Sequence, residues 1–215
     1  MSYKNIYQLI GNTPLVDIYT DSNNNKISLK LEGTNPGGSV KDRPALKMIL
    51  DAEKNRIIKK GDTLIEATSG NTGIALSMVA ALRGYKMIII LPETASIERI
   101  KTMKAYGSEV LIVTKKEDME GARDLADKMQ KENKGIVLDQ FSNNSNFLSH
   151  FETTGPEIWQ STSGKITHFV SAMGTTGTIT GVSKYLKSMN KNIQTIGIQP
   201  IDGAKISGIR RWKKG

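Results

Sequence analysis

The hydrophobic residues of this chain follow two spacings that alternate along the sequence. Short β-branched and aliphatic runs predict strands, and they cover residues 63–67, 86–91, 109–113, 166–171 and 195–199. Between them, apolar residues recur at helical spacing, for example Ile97, Ile100 and Met103 before Gly107, a typical helix-ending residue. Strands that alternate with helices predict parallel sheets covered by helices, which is an α/β fold.

Two more helices are predicted by the same spacing. One has an apolar stripe made of Met119, Ala122, Leu125, Ala126 and Met129. In the other, residues 74–82, only Ser77 is polar. We expect this helix to be covered on most sides, as between a sheet and a second layer.

A glycine-containing turn occurs twice in the same setting. Residues 70–73 (GNTG) and 174–177 (GTTG) each follow a predicted strand and begin a predicted helix. The similarity predicts two related α/β/α units of three layers, each with a mostly parallel sheet. The polar cluster at residues 143–146 is the predicted boundary between them.

Composition restricts the classes of function. The chain has 215 residues, of which 38% are hydrophobic, and this is enough for a buried core. It has no cysteine, which excludes disulfides and thiolate chemistry. The 30 basic and 21 acidic residues give a net charge of +9, which favours anionic ligands. Nucleic acid is the last candidate, because aromatic residues are only 6% and no basic helix stands out. Without a targeting or membrane-spanning pattern, we expect a cytoplasmic protein.

The 174–178 loop predicts a phosphate site. It consists of Gly174, Thr175, Thr176, Gly177 and Thr178. Glycines allow close approach of the backbone to a ligand, the amides of a helix N-terminus point outward, and threonine hydroxyls add donors. No nucleotide-binding lysine follows, which disfavours nucleoside triphosphates. A plain glycine-rich turn with threonine caps is the alternative.

The 68–73 loop has the same placement but carries more hydroxyl and amide groups. It consists of Thr68, Ser69, Gly70, Asn71, Thr72 and Gly73. Amides and hydroxyls of this kind can hold both oxygens of an amino-acid carboxylate, and Asn71 can bond a neighbouring ring oxygen. Clusters of this composition also form ordinary turns and helix caps.

Lys41 is the third candidate. It follows a glycine-rich stretch at residues 35–40, and Pro44 is tolerated in a helix only near the first turn. Lys41 is therefore predicted at a loop-to-helix junction, from which it can point inward. Burial would lower the pKa of its amine and leave the neutral form that attacks an aldehyde. A solvated surface lysine is the alternative.

Taken together, these segments resemble one enzyme family. Their order and spacing are similar to those of the cysteine synthase (O-acetylserine sulfhydrylase) family of pyridoxal 5'-phosphate (PLP) enzymes. The matching segments are residues 10–15, 35–43, 68–73, 153–159 and 174–178. The resemblance implies PLP as cofactor, no metal, and the tryptophan synthase β-like fold of fold-type II PLP enzymes. We expect a small domain at residues 35–144 and a large domain made of residues 1–34 and 145–215.

The resemblance also assigns roles to single residues. In that family the lysine that matches Lys41 carries PLP as a Schiff base and is the catalytic residue. The asparagine that matches Asn71 bonds the 3′-oxygen of the cofactor, and the 174–178 loop holds its phosphate. The substrate carboxylate is held by residues that match Thr68, Ser69, Gly70, Thr72 and Gln140.

A B-type cysteine synthase is the subtype that the sequence most resembles. The similarity lies in residues 206–212 (ISGIRRW), in Thr176 and in residues 139–141 (DQF). The adjacent residues Arg210 and Arg211 at a site mouth would bind substrate and favour a bulky, anionic sulfur donor, so thiosulfate is expected beside sulfide. Ordinary surface charges are the alternative for both arginines.

The implied reaction makes cysteine or S-sulfocysteine from O-acetylserine, in a homodimer that uses small-molecule substrates and has no nucleic-acid or membrane partner. Because the family continues beyond the position of Gly215, we expect a C-terminally truncated chain with an incomplete large domain. The absent part would include the serine that bonds the pyridine nitrogen. A catalytically inactive fragment, and a PLP-dependent lyase or dehydratase of the same fold, are the alternatives.

Overall fold

An antiparallel hairpin lies near the N-terminus of the computed structural model, which describes residues 5–204, 206 and 208–212. It pairs β1 (Leu15–Thr20) with β2 (Lys26–Lys30). The sequence analysis did not predict these strands. The period-two signal is present in β2, where Lys26, Ser28 and Lys30 alternate with Ile27 and Leu29, but β1 lacks it. Most residues of both strands are exposed, so no buried face marks the pair.

A four-stranded parallel sheet forms the centre of the first α/β unit. Its strands, in the order β5–β4–β3–β6, are β3 (Thr63–Ala67), β4 (Lys86–Pro92), β5 (Glu109–Val113) and β6 (Ile136–Val137). The helices around it are α1 (Asp42–Lys54), α2 (Asn71–Arg83), α3 (Ile97–Ala105) and α4 (Asp118–Lys131).

Successive residues of the central strands face opposite sides of this sheet. Leu64 and Ile89 are buried against α1, α2 and α3, whereas Ile65 and Ile90 are buried against α4. Both faces of the sheet are thus covered, which explains why β3 and β4 are continuous apolar runs instead of alternating ones.

The second unit surrounds a parallel pair of strands, β7 (His168–Ala172) and β8 (Gln194–Ile198). Its helices are α5 (Ser145–Ser149), α6 (Gly155–Ser161) and α7 (Gly177–Met189), and a π-helical turn at His150–Thr154 joins α5 to α6. A small core of Ile158, Val182, Leu186 and Ile193 joins α6, α7 and the approach to β8.

The α/β fold with parallel sheets is confirmed. All five predicted strands are present, and β3 and β5 have the predicted bounds. The predicted helix at residues 74–82 lies within α2, which is largely buried as expected. The division into domains at residues 35–144, 1–34 and 145–215 stays a prediction. None of the helices within the described residues combines the length and apolar character needed to cross a membrane.

Candidate active site

Lys41 lies where the glycine-rich loop meets α1. Its main-chain N–H donates to Ser39 Oγ at 3.2 Å, and α1 begins at the next residue, Asp42. The main-chain N–H of Gly37 donates to Asp42 Oδ2 at 2.5 Å, which fixes the loop against the start of the helix. Pro44 lies in the first turn, where no helical N–H partner is needed. This is the junction that the sequence predicts.

The side chain of Lys41 is half-buried. Burial lowers the pKa of its amine, while the negative charge of Glu32 acts in the opposite direction. A lowered pKa leaves a larger neutral fraction of the amine at a given pH, and only the neutral amine attacks an aldehyde. The surroundings of Lys41 therefore suit Schiff-base chemistry.

The 174–178 loop connects β7 to the N-terminus of α7. Thr176 adopts a left-handed conformation with φ 66°, and the helix begins at Gly177. Within the described residues, no acceptor is bound by the main-chain N–H groups of Gly174, Thr175 and Thr176. The N–H of Gly177 donates to Thr175 Oγ1 at 3.3 Å, and the amides that follow it in the first turn of α7 add further donors. A row of free amides at a helix N-terminus is suited to a phosphate dianion.

Two glycines of this loop leave no space for a side chain. A Cβ atom at Gly174 would overlap the carbonyl oxygen of Gly208, and one at Gly177 would overlap the side-chain oxygen of Asn146. The loop is therefore enclosed by residues 208–212 on one side and by α5 on the other. This close packing explains why glycine is required at both positions.

The 68–73 loop connects β3 to α2. Thr68 and Thr72 are buried, Ser69 and Gly70 are half-buried, and Asn71 is exposed at the first position of the helix. Thr72 Oγ1 donates to Gln140 Oε1 at 2.5 Å. The structure thus brings together two of the residues expected to hold a carboxylate, although 68 positions separate them along the chain.

Asn146 links the two loops. Its side-chain amide donates to the carbonyl oxygen of Gln140 at 3.0 Å and to Thr175 Oγ1 at 3.1 Å. Gln140 therefore contacts the 68–73 loop through its side chain and the 174–178 loop through Asn146. The sequence analysis placed Asn146 only in a polar boundary segment, because its hydrogen-bond partners are distant along the chain.

His150 contacts the 174–178 loop through Thr178. Its Nε2 atom is 3.2 Å from Thr178 Oγ1, and its Nδ1 atom is 2.9 Å from Thr154 Oγ1. Burial lowers the pKa of His150 to about 3, and the positive charges of Arg43 and Lys41 act in the same direction. The imidazole is therefore neutral near pH 7. The π-helical turn that carries His150 gives no periodic signal in the sequence, so this residue was missed.

Arg210 and Arg211 have different surroundings. The main-chain N–H of Arg210 donates to the carbonyl oxygen of Met173 at 2.8 Å, next to the 174–178 loop. Its guanidinium carbon lies 4.1 Å from the centre of the Phe141 ring. Arg211 instead forms an ion pair with Asp202. Of the B-type segment at residues 206–212, Ser207 lies outside the described residues.

These residues fit PLP in two respects. The free amides of the 174–178 loop match its phosphate, and the desolvated amine of Lys41 matches its aldehyde. Within the described residues, no cluster of side chains could hold a metal ion. An α/β fold that combines such a lysine with free amides at a helix N-terminus is typical of PLP-dependent enzymes of the tryptophan synthase β-like fold.

Comparison with known proteins agrees with this class. The model of the family described as "Pyridoxal-phosphate dependent enzyme" matches residues 6–214. The chain belongs to this family and, within it, to the cysteine synthases. It is 59% identical over 214 residues to cysteine synthase B of Pseudomonas aeruginosa, a match that covers 99% of this chain and 72% of the relative. The resemblance to the B type is thus confirmed.

Solved structures show the same fold. The structure of cysteine synthase from Entamoeba histolytica has a TM-score of 0.91 at 39% identity, and the match covers 97% of this chain and 67% of that one. The structure of O-ureido-L-serine synthase has a TM-score of 0.92 at 36% identity, covering 98% of this chain and 71% of that one.

Proposed function

We propose that this protein catalyses a PLP-dependent β-replacement on O-acetylserine. Sulfide would give cysteine, and thiosulfate would give S-sulfocysteine. In each turnover the bond between the β-carbon and the acetate oxygen breaks, a carbon–sulfur bond forms at the same carbon, and one acetate is released. The proposal rests on the buried amine of Lys41 at its loop-to-helix junction, together with two glycine-threonine loops that Gln140 and Asn146 join by hydrogen bonds.

Lys41 has two tasks in this reaction. Its amine would hold PLP through the aldehyde of the cofactor, and, when free, the same amine would take the proton from the α-carbon of the substrate. When bound, PLP supplies an electron-withdrawing ring that stabilises negative charge at that carbon. Because burial lowers the pKa of Lys41, a neutral base is available at a pH where an exposed lysine would be protonated.

The two loops orient the reactants. We assign the substrate carboxylate to the 68–73 loop, through Thr68, Ser69, Gly70 and Thr72, together with Gln140. The Thr72–Gln140 hydrogen bond holds these side chains in place before the substrate arrives. We assign the cofactor phosphate to the 174–178 loop and the 3′-oxygen to Asn71. Preformed groups of this kind lower the entropy that must be lost on binding.

Arg210 is the residue that we assign to the sulfur donor. Its main chain is fixed beside the 174–178 loop and its guanidinium is stacked on Phe141. Burial lowers the pKa of Arg210, and the positive charge of Arg123 lowers it further. The effect of Arg123 shows that the two cations are close enough to add to the positive potential around Arg210. Such a potential favours the thiosulfate dianion over the smaller sulfide ion.

The reaction is tested with purified protein reconstituted with PLP. O-acetylserine is added with sulfide or with thiosulfate, and the products are separated by chromatography and identified by mass spectrometry. We expect cysteine in the first case and S-sulfocysteine in the second. Pyruvate formed at the same rate without a sulfur donor would indicate a lyase, and no product with either donor would refute the proposed reaction.

We expect Arg210→Ala to reduce thiosulfate use more than sulfide use. The kcat/KM for thiosulfate should fall by about 10- to 100-fold, corresponding to the loss of one charge-assisted contact, while that for sulfide changes less than about threefold. Arg211→Ala is the matched control, because Arg211 is paired with Asp202. Equal losses for both donors in Arg210→Ala would contradict the assignment.

The family also supports a cytoplasmic homodimer that acts only on small molecules. Exposed apolar side chains on the N-terminal hairpin, including Ile18, Ile27 and Leu29, are compatible with a contact between subunits. Sedimentation of the purified protein over a range of concentrations would measure the oligomeric state.

A further inference from the structure

Glu66 is a buried carboxylic acid to which the proposed reaction assigns no role. It lies in β3, directly before the 68–73 loop, and is only 3% exposed. Its Oε1 atom accepts a hydrogen bond from the main-chain N–H of Gln140 at 3.2 Å. Its Oε2 atom has no partner within the described part of the chain. Burial of a carboxyl group without a full set of hydrogen bonds is unfavourable. The presence of Glu66 in an otherwise apolar part of β3 therefore suggests a function for it.

The partner of Glu66 connects both loops of the site. Gln140 accepts a hydrogen bond from Thr72 on its side chain and one from Asn146 on its carbonyl oxygen. Asn146 also donates to Thr175, whose hydroxyl is 3.3 Å from the main-chain nitrogen of Gly177. Glu66 therefore anchors a network that reaches the 68–73 loop and the 174–178 loop.

We propose that Glu66 is a positioning residue that fixes the main chain at Gln140 and thereby holds both loops in place for PLP and for the substrate carboxylate. The inference rests on the proposed function of these loops. Glu66 itself contacts neither ligand. It acts through the Gln140 N–H group, which would otherwise be buried without an acceptor.

The charge on Glu66 should affect how firmly Gln140 is held. Burial raises the pKa of Glu66 to about 7, although the hydrogen bond from Gln140 favours the charged form. The negative charge of Asp139 raises the pKa of Glu66 further, whereas a main-chain hydrogen bond from Asp139 and the charge of Arg123 lower it. A cavity of about 120 Å³ lies beside Glu66 and is also lined by Arg123, Asp127, Asp139 and Phe141. Arg210 stacks on Phe141.

A charged carboxylate accepts a stronger hydrogen bond from an N–H group than a neutral one does. As the pH rises through about 7, more of Glu66 becomes charged and Gln140 should be held more firmly. Glu66→Gln removes the titration of Glu66 and leaves the neighbouring carboxylates and arginines in place. A pH effect that disappears when Glu66 is replaced can therefore be assigned to Glu66.

The test measures the dissociation constant of PLP, by titration of the absorbance that PLP acquires on reaction with Lys41, at pH 6, 7 and 8. Glu66→Gln keeps an acceptor for Gln140 but cannot become charged. It should bind PLP like wild type at pH 6 and about threefold more weakly at pH 8. Glu66→Ala leaves the Gln140 N–H without an acceptor and should bind about tenfold more weakly at all three values.

Glu109→Gln is the matched control, because Glu109 is an exposed carboxylate on the edge strand β5. It should bind PLP like wild type throughout. Circular dichroism identifies variants that do not fold, and if Glu66→Ala is among them, the pH series of Glu66→Gln decides the question. A Glu66→Gln series that matches wild type at every pH, or a folded Glu66→Ala with wild-type affinity, would overturn the proposal.

This readout does not depend on turnover. If PLP binds with the expected pattern but no cysteine forms, the proposed reaction fails and the role of Glu66 stands. If cysteine forms while the variants bind PLP like wild type, the reaction stands and the role of Glu66 fails.

Discussion

Lys41→Ala is expected to abolish the covalent capture of PLP and to lower turnover by at least about 10³-fold, because the same amine carries the cofactor and moves the α-proton. Borohydride reduction of the wild-type protein with PLP, followed by peptide mass spectrometry, should locate the cofactor on Lys41. The variant should give no adduct and no Schiff-base absorbance.

Lys54→Ala provides the control for this experiment. Lys54 is an exposed residue at the opposite end of α1, so its replacement should leave both the adduct and turnover unchanged. An adduct on Lys41 in Lys54→Ala, and none in Lys41→Ala, would distinguish a specific site from general modification of the chain's many lysines. An adduct of wild-type yield on another lysine in Lys41→Ala would contradict the assignment.

The second large effect is expected for Arg43→Met, which should lower the free energy of unfolding by about 3–5 kcal/mol. The side chain of Arg43 is 1% exposed and bridges Glu32 and Glu157, at 2.7 Å and 2.6 Å. Burial alone would raise the pKa of Glu157, but hydrogen bonds from Arg43 and Lys30 lower this pKa to about 2. Without Arg43, two carboxylates would remain partly buried with less compensation. Urea denaturation monitored by circular dichroism measures the loss.

Arg83→Met is a matched control for Arg43→Met. Arg83 also forms an arginine–glutamate pair, with Glu53, but both side chains are about one quarter exposed. A pair that is open to water contributes at most about 1 kcal/mol. Similar losses in the two variants would show that burial is not what makes the Arg43 network important.

Because Arg43 follows Lys41 by two positions, PLP binding by the folded Arg43→Met protein should also weaken.

Local structure was predicted well from the sequence. The strand from Thr63 to Ala67 and the junction at Lys41 depend on residues only a few positions apart, through β-branched runs, glycines and a first-turn proline. The resemblance added a role for Gln140 that no local pattern could supply. The N-terminal hairpin was missed although β2 alternates between polar and apolar residues, because β1 does not and most residues of both strands are exposed.

Contacts between distant segments could not be predicted in the same way. Asn146 had been placed only in a boundary segment, yet it joins Gln140 to Thr175. Nothing in the sequence separates two adjacent arginines either, although one stacks on Phe141 and the other pairs with Asp202. Burial and pairing of this kind depend on which surfaces meet when the chain folds.

Local spacing along the chain was enough to predict an α/β fold of parallel strands, together with a lysine and two glycine-threonine loops at the starts of helices. The folded chain was needed to show that Gln140 and Asn146 link the loops, that His150 contacts Thr178, and that Glu66 is buried against Gln140. The reason is physical: hydrogen bonds and pKa values depend on distance in space, and residues 68 positions apart, such as Thr72 and Gln140, meet only in the folded chain.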